Sequence, residues 1–258
     1  MSHLQIVHNL MREILEKAKK KFVCPLCLIS YSRADATFGH CRRKGEEKRD
    51  LNERERMRSK IHREIGSVNI GGGFREFRQA LAIACGRKDI TVEALGLDFS
   101  QSHRRPYGSC LGLDFILKMM SDELAAKTDI LRNIIGIAGI HYVCPCCWSG
   151  FATSANVLEH CGKEKDEYHQ GLLSKKVAPF VEIYGELMGR SIDFTTLDID
   201  YDGHGVPDFH RCFEIDEVLR QKSWYHGRLE YTKGMGYGLG HIIFYDLDGD
   251  LYLSRKKN

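Results

Sequence analysis

In the first twenty positions apolar residues fall at Leu4, Val7, Met11, Ile14 and Ala18, with polar residues between them. Steps of three and four keep side chains on one face of a helix, so residues 1–21 predict an amphipathic helix packed on the body of the protein. Phe115–Gly139 has the apolar content of a further helix, and residues 121–141 are expected to connect two parts of the chain. The tail GHIIFYDLDGDLYLSR, within residues 221–258, has two apolar runs around Asp248-Gly249 and predicts a β-hairpin turning there.

Between these segments the pattern repeats. FVCPLCLISYSRADATFGHC (Phe22–Cys41) and YVCPCCWSGFATSANVLEHC (Tyr142–Cys161) carry the same spacing of Cys, aromatic and His, 120 positions apart. The similarity runs on. Gly86-Arg87 aligns with Gly189-Arg190, Leu95 and Asp98 with Leu197 and Asp200, His103 and Pro106 with His204 and Pro207, and Cys110 and Asp114 with Cys212 and Asp216. This self-similarity points to an internal duplication. The expected fold is α+β: two modules, 22–120 and 142–220, each a Cys/His head followed by a helix, a short β-rich piece and a closing helix. The first module carries an inserted arm, residues 42–64, with ten Lys/Arg against six Asp/Glu. It reads as a solvated helix ended by Gly71-Gly72-Gly73.

Composition narrows the chemistry. With 43% hydrophobic and 28% charged residues the chain has the make-up of a soluble globular protein, and no run reaches the 18 apolar residues of a membrane span. The N-terminus lacks the pattern of a signal peptide. Ten cysteines in an unsecreted chain favour metal ligation over disulfides. A net charge of +3 permits a nucleic-acid partner without requiring one.

Each head offers Cys-x-x-Cys and then a His: Cys24, Cys27 and His40, then Cys144, Cys147 and His160. Zinc takes thiolate and imidazole ligands in a tetrahedron, and a Cys-x-x-Cys turn supplies two sulfurs at once. Tyr142, Phe151 and Val157 supply a small core beneath the second site; Phe22, Tyr31 and Thr37 occupy those positions in the first, with Phe38 as compensation. Both stretches resemble the C2H2-type zinc finger family over about 30 residues each, and the loose His spacing and Cys-Pro-x-Cys starts are similar to those of fungal zinc-finger proteins. The fourth ligand departs from the family. His169 follows His160 by nine positions, which a continuous helix places on opposite faces, so a break is needed, expected at Gly162. Cys161 is the alternative. In the first head His62 is the counterpart and Cys41 the alternative. Two structural zinc ions are the expected cofactors.

The resemblance implies helix positions facing a DNA major groove. These are Arg33, Ala36 and Gly39 in the first head, with Asp35 placed to brace Arg33, and Thr153, Asn156 and Glu159 in the second. Arg33 suits guanine and Asn156 suits adenine. The leading expectation is a nuclear transcriptional regulator that binds double-stranded DNA. The alternative is a structural zinc protein, nuclear or cytoplasmic, that docks a protein partner. No catalytic role, membrane contact or small-molecule substrate is expected. Asp98/Asp200, His103/His204 and Cys110/Cys212 read as turn and core residues, Asp198-x-Asp200-x-Asp202 as an incomplete calcium loop, and GMGYGLG (234–240) as a loop.

Overall fold

In a computed structural model of the protein the described residues are 2–46, 51–97, 106–197, 199–223, 243–245 and 251–253. In chain order the elements are α1 (His3–Lys17), β1 (Phe22–Val23), β2 (Ser30–Tyr31), α2 (Ala34–Gly45), α3 (Glu53–Ser67), α4 (Phe74–Ala84), α5 (Leu113–Met120) and α6 (Leu124–Ile137). Then come β3 (Tyr142–Val143), β4 (Gly150–Phe151), α7 (Ser154–Lys163), α8 (Glu167–Gly171), α9 (Val177–Met188), β5 (Asp200–Tyr201), β6 (Pro207–Asp208), α10 (Ile215–Ser223), β7 (Ile243–Tyr245) and β8 (Leu251–Leu253). Helices dominate, and among the described residues all four sheets are two-stranded antiparallel pairs, which makes the protein α+β. No helix among the described residues is long and apolar enough to cross a membrane.

The chain forms two units. One holds the first head, Lys19–Ile137, with the β7/β8 hairpin. The other holds the second head, from Ala138 through α10, and also the N-terminal residues up to Ala18. The predicted N-terminal helix exists and buries Val7, Leu10, Met11, Ile14 and Leu15. It packs on α10 and β4, and so serves the second head although it precedes the first in sequence. The helix before the second head, α6, packs on α5 in the unit of the first head. The expected continuous helix from Phe115 to Gly139 is therefore two helices. Ser121 adopts φ −158°, ψ 146° and ends α5.

Each unit has a core that extends beyond its head. In the first, Cys24, Phe38 and Cys41 are continuous with Ile61, Ile65, Phe77, Leu81, Tyr107 and Leu111. In the second, Phe180 stacks on Phe209 at 3.9 Å between centroids, meets Tyr184 and Phe213, and Tyr184 donates its hydroxyl hydrogen to the Cys212 carbonyl at 2.9 Å. Each fully buried side chain of this size contributes roughly 1.5–3 kcal/mol by removal from water. The heads are thus seated on helical cores, larger than the small apolar sets beneath each site that the sequence suggested.

The charged arm is not a solvated helix throughout. It spans the end of α2 and most of α3, and α3 buries Ser59, Ile61, His62 and Ile65. Asn52 starts α3 with a capping box: its side chain accepts from the Glu55 amide at 2.9 Å, and Glu55 accepts from the Asn52 amide at 3.2 Å. The helices touch backbone to backbone at two glycines. A Cβ on Gly45 would lie 2.6 Å from the Arg63 Cα, and one on Gly66 would lie 2.7 Å from the Arg42 nitrogen. Charge therefore marks only the outer face of α3. The run ends at Gly71 (φ 120°), and α4 begins after Gly73, as expected. The tail hairpin pairs Phe244 with Tyr252 as predicted, and its turn at Asp248-Gly249 lies outside the described residues.

Candidate metal centres

The two heads fold alike in detail. Phe22 pairs with Tyr31 and Tyr142 with Phe151. Inside each hairpin the first cysteine donates its amide, Cys24 to the Ile29 carbonyl at 3.0 Å and Cys144 to Ser149 at 2.9 Å. It also accepts from the residue after the second cysteine, Leu28 at 2.9 Å and Trp148 at 2.8 Å. Those two residues take the left-handed conformation, φ 57° and 60°, which closes the turn and leaves both thiols on its inner side. Each head is tied to its closing helix by one equivalent bond: Leu113 donates to Lys21 at 2.9 Å, and Ile215 donates to His141 at 3.0 Å.

A helix then returns a histidine to each pair of thiols. The structure gathers Cys24, Cys27, His40 and His62 in one cluster and Cys144, Cys147, His160 and His169 in the other, with one ligand atom from each residue and all atoms of a set within 4.8 Å. Cys24 Sγ is 3.6 Å from His62 Nε2, Cys27 Sγ is 3.1 Å from His40 Nε2, and Cys147 Sγ is 3.3 Å from His160 Nε2. A tetrahedral zinc with bonds of about 2.3 Å to sulfur and about 2.0 Å to nitrogen puts ligand atoms about 3.3–3.8 Å apart. The sets fit such an ion.

The fourth member of each set is a histidine, and each is aimed by its second nitrogen. His169 Nδ1 lies 2.5 Å from an Asp166 carboxylate oxygen, and His62 Nδ1 lies 2.9 Å from the Arg58 carbonyl. Both partners can only accept, so each Nδ1 carries the hydrogen and each Nε2 presents a lone pair to the cluster. His169 Nε2 is buried without a hydrogen-bond partner. An orphaned nitrogen there is costly, and a metal satisfies it. Cys41 and Cys161 instead rest against the first cysteine of each set, Sγ to Sγ 3.8 Å and 4.0 Å. A neighbour on the same helix points about 100° away from the histidine, which keeps them beside the site. The break between His160 and His169 comes later than Gly162. α7 continues to Lys163, Glu164 leaves the helix with ψ 145°, and Asp166 caps α8 through the His169 amide at 3.1 Å. Asp166 is the functional residue that ligand counting missed. Its signal in the sequence is an acid three residues before the histidine, at an N-cap position.

Without a cation these thiols, Cys144 excepted, resist ionisation. Burial pushes Cys24 well above the ordinary thiol value, while the Cys24 thiol, then burial, push Cys27 up to about 11. In the second head the thiols of Cys146, Cys147 and Cys161 donate to Cys144 and draw it down, and that interaction, with burial, pushes the three donors up. Metal binding must displace protons from such a set, so affinity falls as pH falls.

The groove-facing candidates fall in the two different units. Arg33, 76% exposed in its side chain, makes a two-point contact with Asp35 at 2.8 and 2.9 Å, as expected. The start of α2 is crowded: a Cβ on Gly108, in the turn before α5, would sit 3.0 Å from Ala34 Cβ. Ala36 and Gly39 are half-buried. On α7, Thr153 caps the helix through the Asn156 amide, Asn156 is exposed, and Glu159 pairs with Lys163 at 2.6 Å. Asp98 and His103, Asp198 and residues 234–240 lie outside the described residues. Asp200 pairs with Arg211 at 3.2 Å, Cys110 and Cys212 are buried, and Asp202 accepts the His204 and Val206 amides within a hairpin turn. The chain matches no family profile, no curated protein and no solved structure.

Proposed function

We propose that each Cys2His2 set holds one structural zinc ion, and that the chain is a non-catalytic zinc scaffold, nuclear or cytoplasmic, that docks a protein partner. It is built from two divergent copies of one module on the plan of C2H2-type zinc fingers. The observation that carries the zinc assignment is the pair of buried fourth histidines, each with Nδ1 engaged and Nε2 turned to the thiols. Four protein ligands leave no open position, which is the reason no catalysis is assigned. The matching knuckle, strand and helix-closing hydrogen bonds support the duplication.

Binding of double-stranded DNA by a nuclear regulator is the second reading. Exposed Asn156 and Thr153 on α7 and exposed Arg33, braced by Asp35, favour it, while the crowding at the start of α2 favours the scaffold. One experiment separates them: zinc content of the purified chain alongside its binding to random duplex at low and high salt. Two zinc ions with salt-sensitive duplex binding supports the DNA reading, because phosphate contacts release counterions. Two zinc ions with no binding at low salt supports the scaffold.

A further inference from the structure

Away from both clusters, the unit of the second head has a groove of about 950 Å³ along the outer face of α9. Its floor is Ala178, Val181 and Gly185 on α9, and its far wall is Ile192, Phe194 and Tyr201. The rings of that wall face solvent: Phe194 is 58% exposed and Tyr201 60%. Residues this large and apolar, side by side and uncovered, mark a contact surface more often than isolated exposed side chains do. Ala178 and Val181 leave this stretch of α9 open, while Gly185 is closed by the chain's own backbone, the Arg190 carbonyl lying 2.9 Å from where a Cβ would sit. From Val177 to Glu186 the groove follows α9 for about 14 Å at about 1.5 Å per residue, the length of two to three turns of a partner helix.

Charge identifies the kind of partner. Glu182 and Glu186, four residues apart and exposed, stand along one edge, and Asp193 stands at the far side. Neither Glu182 nor Glu186 forms an ion pair among the described residues. The single arginine of the lining, Arg190, is turned to the Gln221 side chain. An apolar floor with unpaired carboxylates on its rim is complementary to a helix whose apolar residues recur at i, i+3/i+4 and i+7 and whose flanks carry Lys or Arg.

The geometry points to this groove as the docking site for a basic amphipathic helix of a partner protein. This gives the partner-docking reading a location and a ligand class. It uses no metal ligand, so loss of the zinc assignment leaves it standing.

The test uses the full zinc-loaded chain and two fluorescein-labelled 16-residue helical peptides, one of Leu and Lys and one of Leu and Glu in the same amphipathic pattern. Anisotropy is expected to show salt-sensitive binding of the Leu/Lys peptide only. E182K/E186K should weaken it at least tenfold and admit the Leu/Glu peptide, and V181R should abolish both. Unchanged zinc content and melting temperature certify both variants as folded, and V181R carries the test alone if the charge reversal misfolds. No binding to the wild-type chain, or equal binding of the Leu/Lys peptide to all three proteins, overturns the proposal. So does sedimentation in which the wild-type chain self-associates and E182K/E186K does not, because the occupant is then a second copy. Zinc content read on the same samples separates failure here from failure of the metal assignment.

Discussion

The two heads share a ligand set and differ in how the fourth ligand is held. In the first, His62 sits on a fifteen-residue helix that packs on α2 and α4, and its Nδ1 is fixed by a backbone carbonyl of the same helix. In the second, His169 sits on a five-residue helix, and its Nδ1 is fixed by one side chain, Asp166. The first site is continuous with the core of Ile61, Ile65, Phe77 and Leu81. The helix of the second head buries only Val157 and Cys161, against Thr37, Phe38, His40, Cys41 and Gly45 in the first, and so would rely more on a bound ion.

Removing a thiolate should give the largest separation. Cys144→Ser is expected to cost about one zinc per chain and to release residues 154–171 to amide exchange, since structural zinc supplies up to about 10–16 kcal/mol of apparent folding free energy in small fingers. Cys24→Ser should cost one zinc too, yet leave α4 and the core half of α3 protected. Metal analysis with hydrogen exchange reads both, and equal deprotection in the two variants would break the comparison.

Next comes the support of the histidine. Asp166→Ala should lower zinc affinity at the second head by about 10–100-fold. Arg58→Ala should leave the first head within a few-fold, because the peptide carbonyl that accepts from His62 survives the substitution. Competition with a chromophoric chelator measures both affinities. Comparable losses would mean that the Arg58 side chain matters as much as its carbonyl.

Gly66→Ala tests the helix pair. A Cβ 2.7 Å from the Arg42 nitrogen must push α2 and α3 apart, at a cost of about 1–3 kcal/mol. Thermal unfolding should show the loss in the first unit alone, with two zinc ions still bound.

The smallest effect is alkaline. Burial pushes the non-ligand thiols of Cys85 and Cys110 up to about 12 and about 11. A raised acid favours the fold below its unfolded value, near 8.5, and that advantage is lost as pH rises towards the folded value. The first unit should therefore weaken between about pH 8.5 and pH 11, by up to about 1.4 kcal/mol per thiol at one unit above the unfolded value. Cys85→Ala should flatten this slope in melts followed against pH. The position aligned with Cys85 in the second unit is Met188, which does not titrate.

Periodicity and spacing alone determined a good deal: the amphipathic α1, the paired strands of the tail, both Cys-x-x-Cys turns, and the return of His40 and His160 to them. These are local features, set within one or two turns of chain, where residue type and step length dictate geometry. Tertiary structure brings His62 and His169 into the two sets and leaves Cys41 and Cys161 beside them, because that placement depends on where one helix stops and the next is capped. It also decided that a strongly charged arm buries Ile61, His62 and Ile65, and that α1 serves the distant head rather than the adjacent one. Those outcomes turn on which apolar faces meet. Contacts between elements far apart in sequence fix that, and no local pattern records it.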